Sequence, residues 1–366
     1  MTKNNNKILW WKCDVNLKDY YNTKKAYIRS WPNEGVYAKK FEKKITSLLK
    51  VRYAITCSNG TSAIYLAVKS LGIGPGDEVL VPNITFPATA NAVLMTGARV
   101  VLVDINSHEP SLNIEDLNKK ITTRTKAVIV VHISGRSANI DEIVKFTKKN
   151  KIFLIEDAAE GLFSKHKNLF LGSFGDFGCY SLSPNKIITS GQGGIVIMKK
   201  KKYFKKIKML KEQGRSGNIT GGDDRHYSFG FNFKYTDIQA LVSLSQLKQV
   251  NKRIKQLKKN YIIYKKYLIN NNNFKLLKFN KENVPLWIDC YALNRNKLID
   301  YLRMHKIATR NYWFPLNTQR PYYKSFKTFP NSRFFNKKLF WLPSNFNMTV
   351  QQIKKVCQLV NNFYKN

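Results

Sequence analysis

Acidic side chains are scarce in this sequence: 23 Asp and Glu stand against 63 Lys and Arg in 366 residues, a formal net charge of +40 with histidine neutral. Cysteine is scarce too. The five present, Cys13, Cys57, Cys179, Cys290 and Cys357, are scattered and form no C-x-x-C pair, which excludes a disulfide framework and a zinc site and fits a reducing cytoplasm. Long hydrophobic runs are missing. The longest, AVIVVHI at 127–133, has the length of a strand, so no membrane span is expected, and the opening MTKNNNKILWWKCDVN holds too short an apolar patch for a secretion leader. What the chain does have is 43% hydrophobic and 13% aromatic residues, enough for a sizeable core. That excludes disorder and a stapled mini-domain, and the length favours two domains.

The positive charge raises the question of a nucleic-acid or acidic-membrane partner. Its distribution argues for a solvated, lysine-rich surface instead: short clusters such as Lys199 to Lys202, Lys205, Lys206, Lys252, Lys255, Lys258 and Lys259 recur along the chain among Asn and Ile. A functional basic face stays open as the alternative, as does a field that attracts a diphosphate-bearing small substrate. No helix-turn-helix, zinc or RNA-binding signature accompanies the charge, so no nucleic-acid partner is expected.

Short β-branched runs alternate with helix-period segments: strands at 53–58, 78–83, 98–105, 126–133, 151–157 and 193–198, with helices at 61–72, 88–97 and 140–150 between them. This alternation predicts an α/β domain whose mainly parallel sheet is covered by helices. From Thr236 to about Leu268 apolar residues recur at helical spacing without Gly or Pro, which predicts one long helix. Beyond it, a strand in VPLWIDCYAL (284–293) and helices at 295–306 and 350–365 predict a small α+β domain. The division is placed at 1–250 and 251–366.

Three segments carry chemistry. SNGTSA, Ser58 to Ala63, follows a strand and opens a helix, so backbone N–H groups at Gly60 and Thr61 with nearby hydroxyls, Ser62 included, suit a phosphate; a plain helix cap is the alternative. IEDAAE, Ile155 to Glu160, closes a hydrophobic strand where a parallel sheet presents ligands, and Asp157 there suits a cationic ring nitrogen or a helix cap. In CYSLSPNKIITSGQGGIVIM, Cys179 to Met198, Lys186 sits among small polar residues before a glycine-rich stretch. A lysine in such a place suits an imine-forming nucleophile and proton carrier, against the competing reading of an ordinary surface lysine.

Taken in order, these pieces and two more, GFNFKYTDIQALVSLSQL and TRNYWFPL, resemble the pyridoxal-phosphate sugar aminotransferases of the DegT/DnrJ/EryC1/StrS type from about residue 26 to the C-terminus. The resemblance implies a fold-type I large domain and pyridoxal 5′-phosphate as cofactor. Lys186 matches the cofactor-bearing catalytic lysine and Asp157 the acid that keeps the pyridine nitrogen protonated. Gly60, Thr61, Ser62 and Ser181 match phosphate-binding positions, Phe86 the aromatic stacked on the ring, and Glu160 a group near the ring hydroxyl. Asn232 matches an asparagine that reaches the phosphate of a neighbouring subunit, which implies a homodimer with shared sites. Arg310 and Trp313 fall in the substrate-side motif.

By the same resemblance the reaction moves an amino group from L-glutamate to a nucleotide-linked 4-keto-6-deoxy sugar for surface-glycan or O-antigen synthesis, the nucleotide being GDP or, alternatively, UDP or dTDP. Relatives that are dehydratases carry histidine at the lysine position, so Lys186 favours transamination. HISGRSANI departs from the common H-x-Y-G-x-P pattern: Ser134 replaces the aromatic, and Arg136 is expected near the substrate mouth.

Overall fold

In a computed structural model describing residues 7–215 and 225–365, the chain builds two sheets. The first six residues, part of the stretch read above as too short for a leader, lie outside the described ones. Two helices, α1 (Leu17–Ile28) and α2 (Val36–Leu49), precede β1 (Tyr53–Cys57). Then α3 (Gly60–Ser70), β2 (Glu78–Pro82), α4 (Ala88–Leu94), β3 (Arg99–Val103), α5 (Ile114–Lys120), β4 (Thr125–Val131), α6 (Ile140–Lys149) and β5 (Phe153–Asp157) alternate as the sequence predicts. A short hairpin, β6 (Lys165–His166) and β7 (Leu169–Phe170), leads to β8 (Phe177–Ser181), β9 (Gly194–Met198) and α7 (Lys201–Lys211).

The seven long strands order as β1-β9-β8-β5-β4-β2-β3, with β9 antiparallel to both neighbours and every other pairing parallel. Strand alternation explains why both faces are apolar. Val79, Val81, Ala127, Ile129 and Ile155 enter a core with α3, whereas Leu80, Val128, Val130 and Leu154 enter a separate core on the opposite face with α6.

The expected long helix is two: α8 (Asp237–Leu247) and α9 (Val250–Tyr267). Lys248 and Gln249 bond back three residues rather than four, which breaks the ladder. Periodicity carries no sign of this break, because its cause is tertiary. Buried Arg253 donates to Ile187 O at 3.0 Å and to Asp14 O at 2.8 Å, and its partner Gln246 donates to Asp19 Oδ2 at 2.6 Å, so the two helices are pinned at an angle that sequence spacing does not encode.

The turn redirects the chain to the second sheet. There β10 (Phe274–Leu276), β11 (Ile288–Ala292), β12 (Arg310–Asn311) and β13 (Leu339–Leu342) pair antiparallel in the order β10-β11-β13-β12. Helices α10 (Arg295–Met304), α11 (Pro330–Phe335) and α12 (Val350–Phe363) complete this region. Its core includes a residue from the far end of the chain: Ile8 bridges to Ile307, accepting from Ala308 N at 2.8 Å. No described helix is long and apolar enough to cross a membrane.

Candidate active site

The carboxyl ends of the parallel strands open onto a cavity of about 270 Å³, where such sheets collect ligands because successive loops diverge there. Asn59, Gly60 and Thr61 follow β1; Thr85 and Phe86 follow β2; Asp157 to Glu160 follow β5; Ser181 ends β8, and Ser183, Asn185 and Lys186 follow it. Trp287, Arg310 and Trp313 close the far side from the second sheet.

Helix α3 begins on a capping box. The Asn59 side chain accepts from Ser62 N at 2.8 Å, and Ser62 Oγ accepts from Asn59 N at 3.1 Å. The first-turn N–H groups of Gly60 and Thr61 are left without intrahelical partners and look onto the cavity. Ser62, expected among the cofactor ligands, is instead buried and committed to the cap, so it does not line the cavity. Glycine at position 60 eases a close approach: a Cβ there would lie 3.0 Å from Ser181 Cβ, a tight contact between the turn and the β8 end.

Asp157 is 5% exposed, with Thr89 Oγ1 donating to Oδ2 at 2.7 Å and Ala159 N donating to Oδ1 at 3.1 Å. Burial pushes its carboxyl above the usual carboxylate range against those donors and the charge of Lys186. Thr89, in the ITFPATAN segment, stands in the first turn of α4, and no local sequence signal marks it as the partner of Asp157.

Lys186 Nζ lies 3.3 Å from Glu160 Oε1 and 5.1 Å from the centre of the Trp287 ring. Glu160 is buried, and burial raises its carboxyl while Lys186 and the Ser134 N–H, 2.7 Å from Oε2, draw it back down. Within β5, fully buried Glu156 accepts from Gly172, Phe174 and Gly175 N–H groups and from His132 Nε2 at 2.8 Å, which locks the strand end that carries Asp157.

The far wall is aromatic. Trp313 sits 6.2 Å from Phe86, 6.3 Å from Trp287 and 5.2 Å from Trp341, and Arg310 stacks 4.8 Å over Trp10. Trp287 and Trp10 carried no signal in the sequence reading, since nothing local distinguishes a wall tryptophan from a core one. Arg136, expected near the substrate mouth, does not line the cavity. It is buried, ion-paired with Asp289 at 2.7 Å and stacked 4.2 Å over Phe279, because the loop after β4 turns it away toward the second sheet. Asn232 lies exposed on the strand-like segment before α8 and outside this cavity. Among the described residues no group of three or more His, Cys, Asp or Glu is arranged to hold a metal ion.

These residues fit pyridoxal phosphate. A buried carboxylate on the cavity wall, with no cationic side chain ion-paired to it among the described residues, suits a protonated ring nitrogen, helix N–H groups suit a phosphate, and a primary amine lines the same cavity. A sheet with one reversed strand that brings lysine and carboxylate to its carboxyl edge in this way defines the fold-type I pyridoxal-phosphate-dependent aminotransferases.

Comparison with known proteins narrows the class: residues 18–361 match the DegT/DnrJ/EryC1/StrS aminotransferase family, and the chain belongs to it. GDP-perosamine synthase of Escherichia coli O157:H7 is 32% identical over 358 residues, covering 95% of this chain and 96% of its own. The protein of that name from Vibrio cholerae is 31% identical over 340 residues, covering 91% and 92%. A Streptococcus pneumoniae chain assigned as a sugar aminotransferase, solved in its PLP form, shares the fold with a TM-score of 0.91 at 21% identity, covering 97% of this chain and 99% of that one.

Proposed function

We propose that this aminotransferase moves an amino group from L-glutamate to C4 of a GDP-linked 4-keto-6-deoxy sugar, in the cytoplasm, to supply surface-glycan synthesis. The observation that carries the reading is the convergence of Lys186, Asp157 and the Gly60 turn on one cavity. The substrate rests on the two relatives named GDP-perosamine synthase, which match nearly the whole chain.

Bound in the cavity, pyridoxal phosphate supplies an electron sink and carries the amino group between the two half-reactions. The Gly60 and Thr61 N–H groups and the Ser181 hydroxyl hold its phosphate. Asp157, fixed by Thr89 and Ala159, holds the proton on the ring nitrogen. Lys186 Nζ takes the proton from the donor's Cα and returns one to the sugar carbon that receives the amine. Glu160 keeps Nζ on the reacting side of the cavity, and half-exposed Phe86, backed by Trp313, offers its ring to the cofactor. Arg310 faces the same space from the second sheet and suits the sugar nucleotide's diphosphate.

The homodimer belongs to this proposal. The segment carrying Asn232 presents exposed Tyr227 and Phe229, with Phe231 and Phe233 stacked at 5.0 Å, an aromatic face of the kind a second copy covers while bringing Asn232 to the partner's phosphate.

The test is a product assay. Purified protein with pyridoxal phosphate and L-glutamate is offered GDP-, UDP- and dTDP-linked 4-keto-6-deoxy sugars, and products are weighed by mass spectrometry. Amination of the GDP sugar with loss of the signal in Lys186→Ala supports the reading. Turnover with only a UDP or dTDP sugar overturns the nucleotide, and full turnover by Lys186→Ala overturns the mechanism.

A further inference from the structure

The loop after β4 takes a shape that its sequence does not favour. Ser134 has φ of 55° and Gly135 φ of 84°, both left-handed. Gly135 needs that freedom and the missing side chain, since a Cβ would meet Val284 O at 2.2 Å. Ser134 has no such licence, so something must hold it there.

Every polar group of Ser134 is used. Its hydroxyl donates to Asp289 Oδ1 at 2.6 Å and accepts from Trp341 Nε1 at 3.0 Å. Its carbonyl accepts from Leu286 N at 2.9 Å, and its N–H donates to Glu160 Oε2 at 2.7 Å. Asp289 and Trp341 stand on β11 and β13, and Asp289 is itself fully buried and ion-paired with Arg136. A continuous line therefore runs from the second sheet to the amine: Arg136, Asp289, Ser134, Glu160, Lys186.

We propose that Asp289 and Ser134 are positioning residues for the amino transfer: Asp289 pins the strained Ser134 so that its N–H is aimed at Glu160, and the aimed N–H holds Glu160 against Lys186. The inference rests on the reading of Lys186 as the proton carrier. The groups facing Glu160 are Lys186 from the loop after β8, Asp157 from β5, the Ser134 N–H and the Tyr312 hydroxyl next to β12, with Arg136 and Asp289 behind Ser134. Burial and Asp157 push the Glu160 carboxyl toward its protonated form, while Lys186 and Ser134 oppose them. Removing the aim of one N–H tips that balance toward protonation.

Ser134→Ala is the gentler variant, because it keeps the Arg136–Asp289 pair; Asp289→Asn is the harsher one. Full-length protein carrying carboxyl-labelled glutamate is titrated by carbon NMR without added cofactor, with the Glu160 signal assigned through Glu160→Gln. In Ser134→Ala the Glu160 midpoint rises by about one pH unit, a tenfold change in proton affinity. The acid limb of the glutamate half-reaction in the loaded enzyme moves up with it, while the donor's KM stays within about twofold. Asp289→Asn, checked for folding by circular dichroism, moves both in the same direction. A Glu160 midpoint unchanged in folded Ser134→Ala overturns the proposal. A midpoint that moves while Lys186→Ala still transaminates leaves the positioning intact and overturns the role of Lys186 on which the function rests.

Discussion

The two walls of the cavity are made differently. The wall from the large sheet is assembled from turns that each follow a parallel strand, so a few consecutive residues, Asn59 to Thr61 or Asp157 to Glu160, bring backbone donors and a side chain to one place. The wall from the second sheet has no such local unit. Trp287, Arg310 and Trp313 are aligned by packing on Trp341 and on Trp10, which arrives from the opposite end of the chain. The first kind of wall suits the cofactor, which must be held identically in both half-reactions. The second suits a substrate surface that must admit an amino acid and a sugar nucleotide in turn.

That difference can be broken experimentally, beginning with the largest effect. Lys186→Ala should lower turnover by about a thousandfold or more in both half-reactions while the circular dichroism spectrum stays unchanged. Asp157→Asn should cost roughly a hundredfold, again in both, read from single-turnover rates with each substrate. Its stability has a signed pH dependence. Because the folded Asp157 carboxyl binds its proton above the usual range, the native state holds the extra proton, and wild-type stability falls as pH rises from the usual carboxylate range through the raised value. Asp157→Asn lacks that slope, so the variant's advantage in the Tm of the cofactor-free protein should shrink on acidification; a gap that widens would contradict the assignment.

Changes to the other wall should be smaller and one-sided. Arg310→Met should raise KM for the sugar nucleotide about tenfold, near 1.4 kcal/mol, and leave the glutamate half-reaction unchanged. Trp10→Leu removes the ring beneath Arg310 without touching the cavity, and should raise the same KM by roughly threefold, within the range of a single cation–π contact. If either variant slows the glutamate half-reaction as much as the sugar one, the walls are not separable.

The same contrast explains what was legible in the sequence. The parallel sheet could be read because strand and helix periods are local, whereas the Gly60 turn, Asp157 and Lys186 each kept an ordinary alternative on local signals, and only the family resemblance assigned them to a cofactor site. Helices α1 and α2 were not anticipated. In α1 the inward residues are Asp19, Thr23 and Ala26 while Leu17, Tyr20 and Ile28 face out, so its apolar period points the wrong way. Ser134 and Asp289 are 155 residues apart, and no local pattern links a serine in one loop to an aspartate in a distant strand. The notion of a uniformly solvated lysine surface also has an exception in Lys211, 2% exposed and paired with Glu34 at 2.6 Å beneath β1.

The bridge between Ile8 and Ile307, with Trp10 packed on Trp341, bears on how the protein is made. A ribosome delivers β2 to β5 in an order that lets neighbours pair as they emerge, whereas β1 waits for β9, and the segment from Ile8 to Trp11 waits far longer for its partners at Ile307 and Trp341. Ile8 to Trp11 must stay unhoused until the chain has been made past Trp341. The large-sheet wall of the cavity can therefore be assembled before the wall from the second sheet exists.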